Sequence, residues 1–175
     1  MLVVLSGLPG VGKTTVAREL ARATGGVHLR IDTIEHALHR AGWTVEGEGY
    51  TVAYAVAEDN LRLGRLVIAD AVNPWPRTRQ EWRAVAARAG VPALDVEVLC
   101  SDVDEHRRRV ERRVPDIPHH RLPSWSEVTG RDYHPRTDDR LVIDTARSSV
   151  SECVGTILAS LGLAPRGSVP LDGAR

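Results

Sequence analysis

An apolar run, Leu2-Val3-Val4-Leu5, leads straight into Gly7-Leu8-Pro9-Gly10-Val11-Gly12-Lys13-Thr14, and Val16, Ala17, Leu20 and Ala21 follow at helical spacing. The segment matches G-x-x-x-x-G-K-[ST] without a gap, and that pattern requires a buried strand before it and a helix after it. Its glycines let the backbone curl so that successive N–H groups point inward at phosphate oxygens. The helix that begins near Lys13 adds its positive N-terminal end. Lys13 is placed to reach β- and γ-phosphates, and the Thr14 hydroxyl to hold Mg²⁺. Residues 7–14, with Thr15 beside them, form the expected nucleotide-binding set.

Composition sharpens this. The chain has 23 basic and 23 acidic residues, yet Lys13 is its only lysine and Phe is absent. A solitary lysine at the position the motif demands argues against a ligand-free glycine turn. It also excludes the N-K-x-D loop that reads guanine, which leaves ATP as the expected nucleotide. Zero net charge argues against a protein that coats nucleic acid or an acidic membrane. Cys100 and Cys153 lie far apart without a CxxC, as expected of buried thiols in a reducing compartment. The N-terminus has no signal-peptide pattern, and no apolar run approaches the ~20 residues of a membrane span. A cytoplasmic protein is expected.

Strand and helix patterns alternate along the chain. Strands are expected over residues 2–5, 27–31, 66–69, 95–100 and 140–144. Helices are expected after Lys13 up to Gly25-Gly26, from Asp32 through His39, over 51–63, from a Thr78/Glu81 capping box, over 102–113, and from a Ser149/Glu152 capping box. The last carries a clean apolar stripe. Such alternation points to an α/β fold with a parallel sheet. Residues 114–139 show little periodicity and are too long for an ordinary connection, so they read as a lid or binding loop.

Several residues carry two readings. Asp70 ends the third strand, where an acid either faces the ligand crevice of an open α/β sheet and holds Mg²⁺ or caps the next loop. Asp32 ends the second strand. Asp32-x-x-Glu35 is a capping box, and the same carboxylate can accept the proton of an acceptor hydroxyl. Arg109 and Arg113 share a helix face beside the long loop and are either solvated or neutralise a transferring phosphoryl group. The surrounding arginine run is countered by i,i+4 pairs, Asp104 with Arg108 and Glu105 with Arg109. Trp43, Tyr50 and Tyr54 are either core aromatics or walls of an acceptor pocket. His119-His120 lacks the spacing of a metal site.

Taken together, residues 7–14, Asp32, Ala69-Asp70-Ala71-Val72-Asn73, Arg79, Trp82 and the Arg109/Arg113 pair resemble the adenylate-kinase-like P-loop kinases. The similarity is to the branch that holds polynucleotide 5′-kinases, chloramphenicol phosphotransferase and zeta-toxin-like kinases, whose members often carry the label AAA-family ATPase. It covers residues 1–161 in element order and is specific at 7–14. The resemblance implies a P-loop NTPase three-layer αβα sandwich whose five-stranded parallel sheet has the order 2-3-1-4-5, plus a lid at about 107–139, within a domain of residues 1–163 and a tail of 164–175. It implies ATP–Mg²⁺ phosphoryl transfer to a hydroxyl, with Asp32 activating the acceptor, Asp70 as the strand-end acid, and Arg109 and Arg113 as lid arginines. Asn73, Arg77 and Arg79 fall where members touch phosphates, and Thr145-Ala146-Arg147 where relatives place adenine. The long loop has few basic residues after Arg113, which weakens polynucleotide recognition. A small-molecule hydroxyl acceptor is therefore expected. A polynucleotide 5′-hydroxyl kinase and an ATP-dependent switch or toxin-like module are the rivals. Oligomeric state is not encoded in any pattern found.

Overall fold

The computed structural model describes residues 1–118 and 121–163; the expected His119-His120 segment and the tail of 164–175 lie outside them. Five strands form one parallel sheet: β1 (Leu2–Ser6), β2 (Val27–Arg30), β3 (Val67–Asp70), β4 (Ala93–Leu99) and β5 (Leu141–Asp144). Their spatial order is β2-β3-β1-β4-β5, the order the resemblance implied. Among the described residues seven helices accompany them: α1 (Lys13–Thr24), α2 (Ile31–Arg40), α3 (Glu48–Arg62), α4 (Pro76–Arg88), α5 (Val103–Arg112), α6 (Trp125–Thr129) and α7 (Val150–Ser160).

The central strand β1 is buried along its whole length because helices cover both faces, and its side chains divide by parity. Val3 and Leu5 pack with Ile68, Val96 and Val98 under α1 and α7. Leu2 and Val4 pack with Val67 and Ala69 under α3 and α4, where Trp82 is fully enclosed.

On this second side β4 turns acids inward. Asp95 and Glu97 are buried, and the chain returning from α6 supplies their partners. Arg136, whose side chain is fully buried, donates to Asp95 at 3.1 Å and to Asp138 at 2.7 Å. Arg83 of α4 pairs with both acids. Arg140 meets Glu97 at 2.6 Å, and the Tyr133 hydroxyl meets it at 3.3 Å. Buried charge persists only when paired in this way, so the network fastens one end of the long loop to the sheet.

Several element ends differ from expectation. Strand β2 stops at Arg30, and Ile31 already begins α2 with Arg30 as N-cap. Asp32 therefore sits inside the first turn, and the expected Asp32/Glu35 capping box does not form. Helix α3 begins at Glu48 rather than at residue 51. The Thr78/Glu81 box is also absent, because α4 starts at Pro76, whose fixed φ and missing N–H suit a first turn; Thr78 Oγ1 instead donates to Trp75 O at 2.9 Å. On α5 the Glu105–Arg109 pair forms at 2.7 Å, but Arg108 pairs with the Glu105 carboxylate and reaches only the backbone carbonyl of Asp104. Within the long loop lies a helix with no expected counterpart, α6, held by a complete Ser124/Glu127 capping box. The Ser149/Glu152 box of α7 forms as expected.

Candidate active site

Parallel strands bring their carboxyl ends to one edge of the sheet, and the loop after β1 opens there. Gly7 adopts φ +142°, and a Cβ on it would come within 2.3 Å of Val98 O, so the loop can cross β4 only without a side chain. Gly12 takes φ +96° as the N-cap of α1, with no side chain bonded to the helix end. The first-turn N–H groups of α1 are therefore available to an anion.

Lys13 is buried, and its Nζ donates to Leu8 O at 2.9 Å. Burial pulls its pKa from 10.5 to about 8, against the opposing charges of Asp70 and Asp32. Asp70 ends β3 and is itself buried, which favours the neutral acid. A hydrogen bond from His28 Nε2 at 3.2 Å, the Lys13 charge and a hydrogen bond with Thr14 outweigh that, and the carboxyl sits below its ordinary range. Asp32 lies on the first turn of α2, whose dipole favours an anion, and Arg30 Nη2 reaches it at 3.3 Å. Glu35, one turn on, is pushed upward by burial and by Asp32.

The opposite wall comes from α5 and the long loop. Arg109 donates to Thr145 Oγ1 and O and to Glu105. Arg113 lies one turn further on. Lys13, Thr14, Thr15, Asp32, Asp70, Arg109, Arg113 and Thr145, with Pro9, Gly10 and Gly12, all line one cleft of about 900 Å³. Residues expected from separate motifs thus share a single space.

Other expected residues are placed elsewhere. Leu8 and Val11 take part through backbone carbonyls, accepting from Lys13 and from Thr145 Oγ1. Trp43 is exposed and does not line the cleft. Tyr54 packs edge-on against Trp82 at 4.6 Å and donates its hydroxyl to Thr78 O. Tyr50 packs beside it, its ring 6.0 Å away, and accepts from Asn73 N. Asn73 is fully buried at φ +49°; its Nδ2 donates to Leu5 O and Ser6 Oγ, and its Oδ1 accepts from Trp82 Nε1. Arg79 is buried and donates to the carbonyls of Asn73, Pro74 and His134. Asn73 and Arg79 therefore lock the loop after β3 and are not presented to a ligand. Arg77 and Arg147 are exposed, the latter beside Asp144 at 3.3 Å.

The cleft also contains residues for which the sequence suggested no site role: Arg18, Glu35, Asp116 and Arg131. Glu35 appeared only as half of a supposed capping box. Asp116 and Arg131 fall in the aperiodic stretch, where no spacing marks them. The Ser124-x-x-Glu127 signature was the one local signal within that stretch.

A five-stranded parallel sheet with a phosphate-binding loop after its central strand defines a P-loop nucleotide-binding domain of kinase-like build. A family model described as an AAA domain matches residues 2–127, and the chain belongs to that family. It is 27% identical over 164 residues to a protein of Aeropyrum pernix named "Probable adenylyl-sulfate kinase", with 88% of each chain covered. The APS kinase of Mycobacterium tuberculosis, solved with AMPPNP and APS, superimposes with a TM-score of 0.70 at 23% identity, over 92% of this chain and 96% of that one. A gluconokinase from Sinorhizobium meliloti 1021 gives 0.62 at 20% identity, over 91% and 90%. These two structures share the fold. Among the described residues, no helix is long and apolar enough to cross a membrane.

Proposed function

We propose that this protein is an ATP-dependent kinase that transfers the γ-phosphoryl group to a hydroxyl of a small molecule. The observation that carries the reading is the convergence of Lys13, Asp32 and Asp70 on one side of a cleft with Arg109 and Arg113 on the other. The named kinases among its relatives support it.

In this reading the loop amides and the end of α1 hold the phosphates, and Lys13 leaves Leu8 O to offset charge on the transferring group. Asp32 takes the acceptor's hydroxyl proton. Arg113 neutralises charge from the lid side. Arg109, fastened to Thr145, walls the nucleotide end. Thr14 and Asp70 are the residues that would hold Mg²⁺, whose role is to offset phosphate charge. They are hard oxygen donors in mutual contact, and a phosphate-bound Mg²⁺ needs only one or two carboxylates. That suits a chain in which no group of three or more His, Cys, Asp or Glu side chains clusters among the described residues.

A small acceptor is favoured over a polynucleotide because three arginines of α5 are already held by acids of the same helix. Arg107 holds Glu111, and Arg108 and Arg109 hold Glu105. The test is a panel of hydroxyl-bearing metabolites, antibiotics and oligonucleotides incubated with MgATP and scored by mass spectrometry for gain of one phosphoryl group. A small-molecule product that forms with wild type and not with Asp32→Asn, while Asp32→Asn still binds ATP, is the expected result. Full transfer by Asp32→Asn would reject Asp32 as the base, and a product confined to oligonucleotides would reject the small acceptor.

A further inference from the structure

Asp116 lies in the segment between α5 and α6 and reaches back to the far side of the cleft. Its Oδ2 accepts from Arg18 Nη2 of α1 at 2.5 Å and from Arg30 Nη1 at 2.6 Å, while its Oδ1 accepts from Arg30 Nη2 at 3.2 Å. Arg113 Nη2 stands 3.8 Å from the same carboxylate. One acid thus ties the start of the lid to α1 and to the end of β2. The guanidiniums of Arg30 and Arg18 hold the Asp116 carboxyl far below the usual carboxylate range.

Arg30 is the consequential partner. Its side chain is only 4% exposed, and its Nη2 is shared between Asp116 and Asp32, which lies at 3.3 Å. Its Nε has no hydrogen-bond partner among the described residues. A buried guanidinium with an unmet donor takes whatever acceptor is in reach. Lys13 from α1, Glu35 from α2 and Tyr50 from α3 also act on Asp32 or feel its charge, and none of them competes for Arg30. Asp116 is therefore the group that draws the Arg30 fork away from Asp32. Without it, Asp32 is the one carboxylate left in hydrogen-bond contact with the fork among the described residues, since Asp70, its neighbour across the sheet, acts on Arg30 only through its charge and is already bonded to His28; full pairing there would occupy the oxygens that must receive a proton.

We infer that Asp116 is a clasp that docks the segment after α5 across the cleft and, through Arg30, keeps the Asp32 carboxylate free to act as base. Asp116 is thus a positioning residue. The role given to Asp32 rests on the kinase reading above; the docking does not.

The experiment compares wild type with Asp116→Asn, Asp116→Glu and Asp116→Asn/Arg30→Gln. Limited trypsin digestion, mapped by mass spectrometry, reads the docking at Arg112, Arg113 and Arg121. Asp116→Asn is expected to be cut there several-fold faster, and Asp116→Glu to regain protection. In steady-state kinetics Asp116→Asn is expected to lose on the order of tenfold in kcat with KM for ATP little changed. The double variant, which has no guanidinium to close on Asp32, is expected to recover part of that kcat. A merely structural tether would not produce such recovery. Wild-type trypsin resistance in Asp116→Asn would overturn the clasp. A double variant no faster than Asp116→Asn would overturn the coupling to Asp32. If wild type phosphorylates nothing, the kinase reading fails, and the digestion still decides the clasp.

Discussion

Arg109 holds Thr145 by both its oxygens, Nη1 on Oγ1 at 2.8 Å and Nη2 on the carbonyl at 3.1 Å. Thr145 Oγ1 in turn lies 2.8 Å from Val11 O, and Thr145 N donates to Leu99 O at 2.9 Å. A single threonine thus joins α5, the phosphate loop and the ends of β4 and β5. Removing its hydroxyl leaves a guanidinium and a loop carbonyl short of partners at once. Thr145→Val is expected to lower stability by about 1–3 kcal/mol. Because Arg109→Ala removes the same bond, the double variant should fall well short of the sum of the two single losses, measured by urea denaturation.

Lys13 supplies a pH signature. In the unfolded chain its amine keeps a proton up to about its ordinary 10.5, whereas in the fold burial releases that proton at about 8. Between those values the unfolded state binds more protons, so stability from this group rises with pH, by up to about 1.4 kcal/mol per unit. Below about pH 8 both states are protonated and the group adds no slope. Denaturation at successive pH values should therefore show a steeper rise in wild type than in Lys13→Met over this range. Calorimetry should show MgATP binding weakened by about 10- to 100-fold or more in the variant, the loss of a charge-assisted contact.

Trp82 and Asn73 test the lock beneath the cleft. Trp82 Nε1 donates to Asn73 Oδ1 at 3.0 Å with both residues fully buried. Trp82→Phe keeps most of the ring volume and strands that acceptor, at an expected cost of about 1–3 kcal/mol by thermal or urea unfolding. Asn73→Ala is expected to cost more, since it also takes a donor from Leu5 O and from Ser6 Oγ and places a Cβ-bearing residue without local side-chain hydrogen bonding at φ +49°.

The acids under the returning loop should respond to loss of their partner. Arg136→Met removes a fully buried guanidinium from Asp95 and Asp138, although Arg83 continues to serve both. A loss of about 1–3 kcal/mol is expected, because each acid keeps Arg83 but loses a charge-assisted donor. Hydrogen exchange should show the released segment around residues 133–140 opening ahead of the sheet.

What lay open to reading in the chain was whatever depends on neighbours within a turn or two. The apolar run, glycine loop and helix of residues 2–24 are one local unit, and the motif's spacing alone required β1, the loop and α1. The unbroken apolar run of Leu2, Val3, Val4 and Leu5 marked a buried strand, and the Ser149/Glu152 signature marked where α7 begins. Strand-end acids such as Asp70 were legible because parallel strands must open their carboxyl ends on one crevice.

Tertiary structure decided which of many similar side chains meet. In a chain so rich in arginine no spacing singles out Arg30 for Asp116, 86 residues away, or Arg136 for Asp95, 41 away. The sheet and the returning loop choose those pairs by bringing them together. Asn73 and Arg79, which matched phosphate-contact positions, turned inward because Trp82 Nε1 and the loop carbonyls needed partners in a dry interior. Gly10 sits at a variable position of the motif, yet at φ +86° with Val110 of α5 where its Cβ would be, 2.5 Å away. Periodicity reports the face a residue occupies; only the packed molecule reports what stands opposite it.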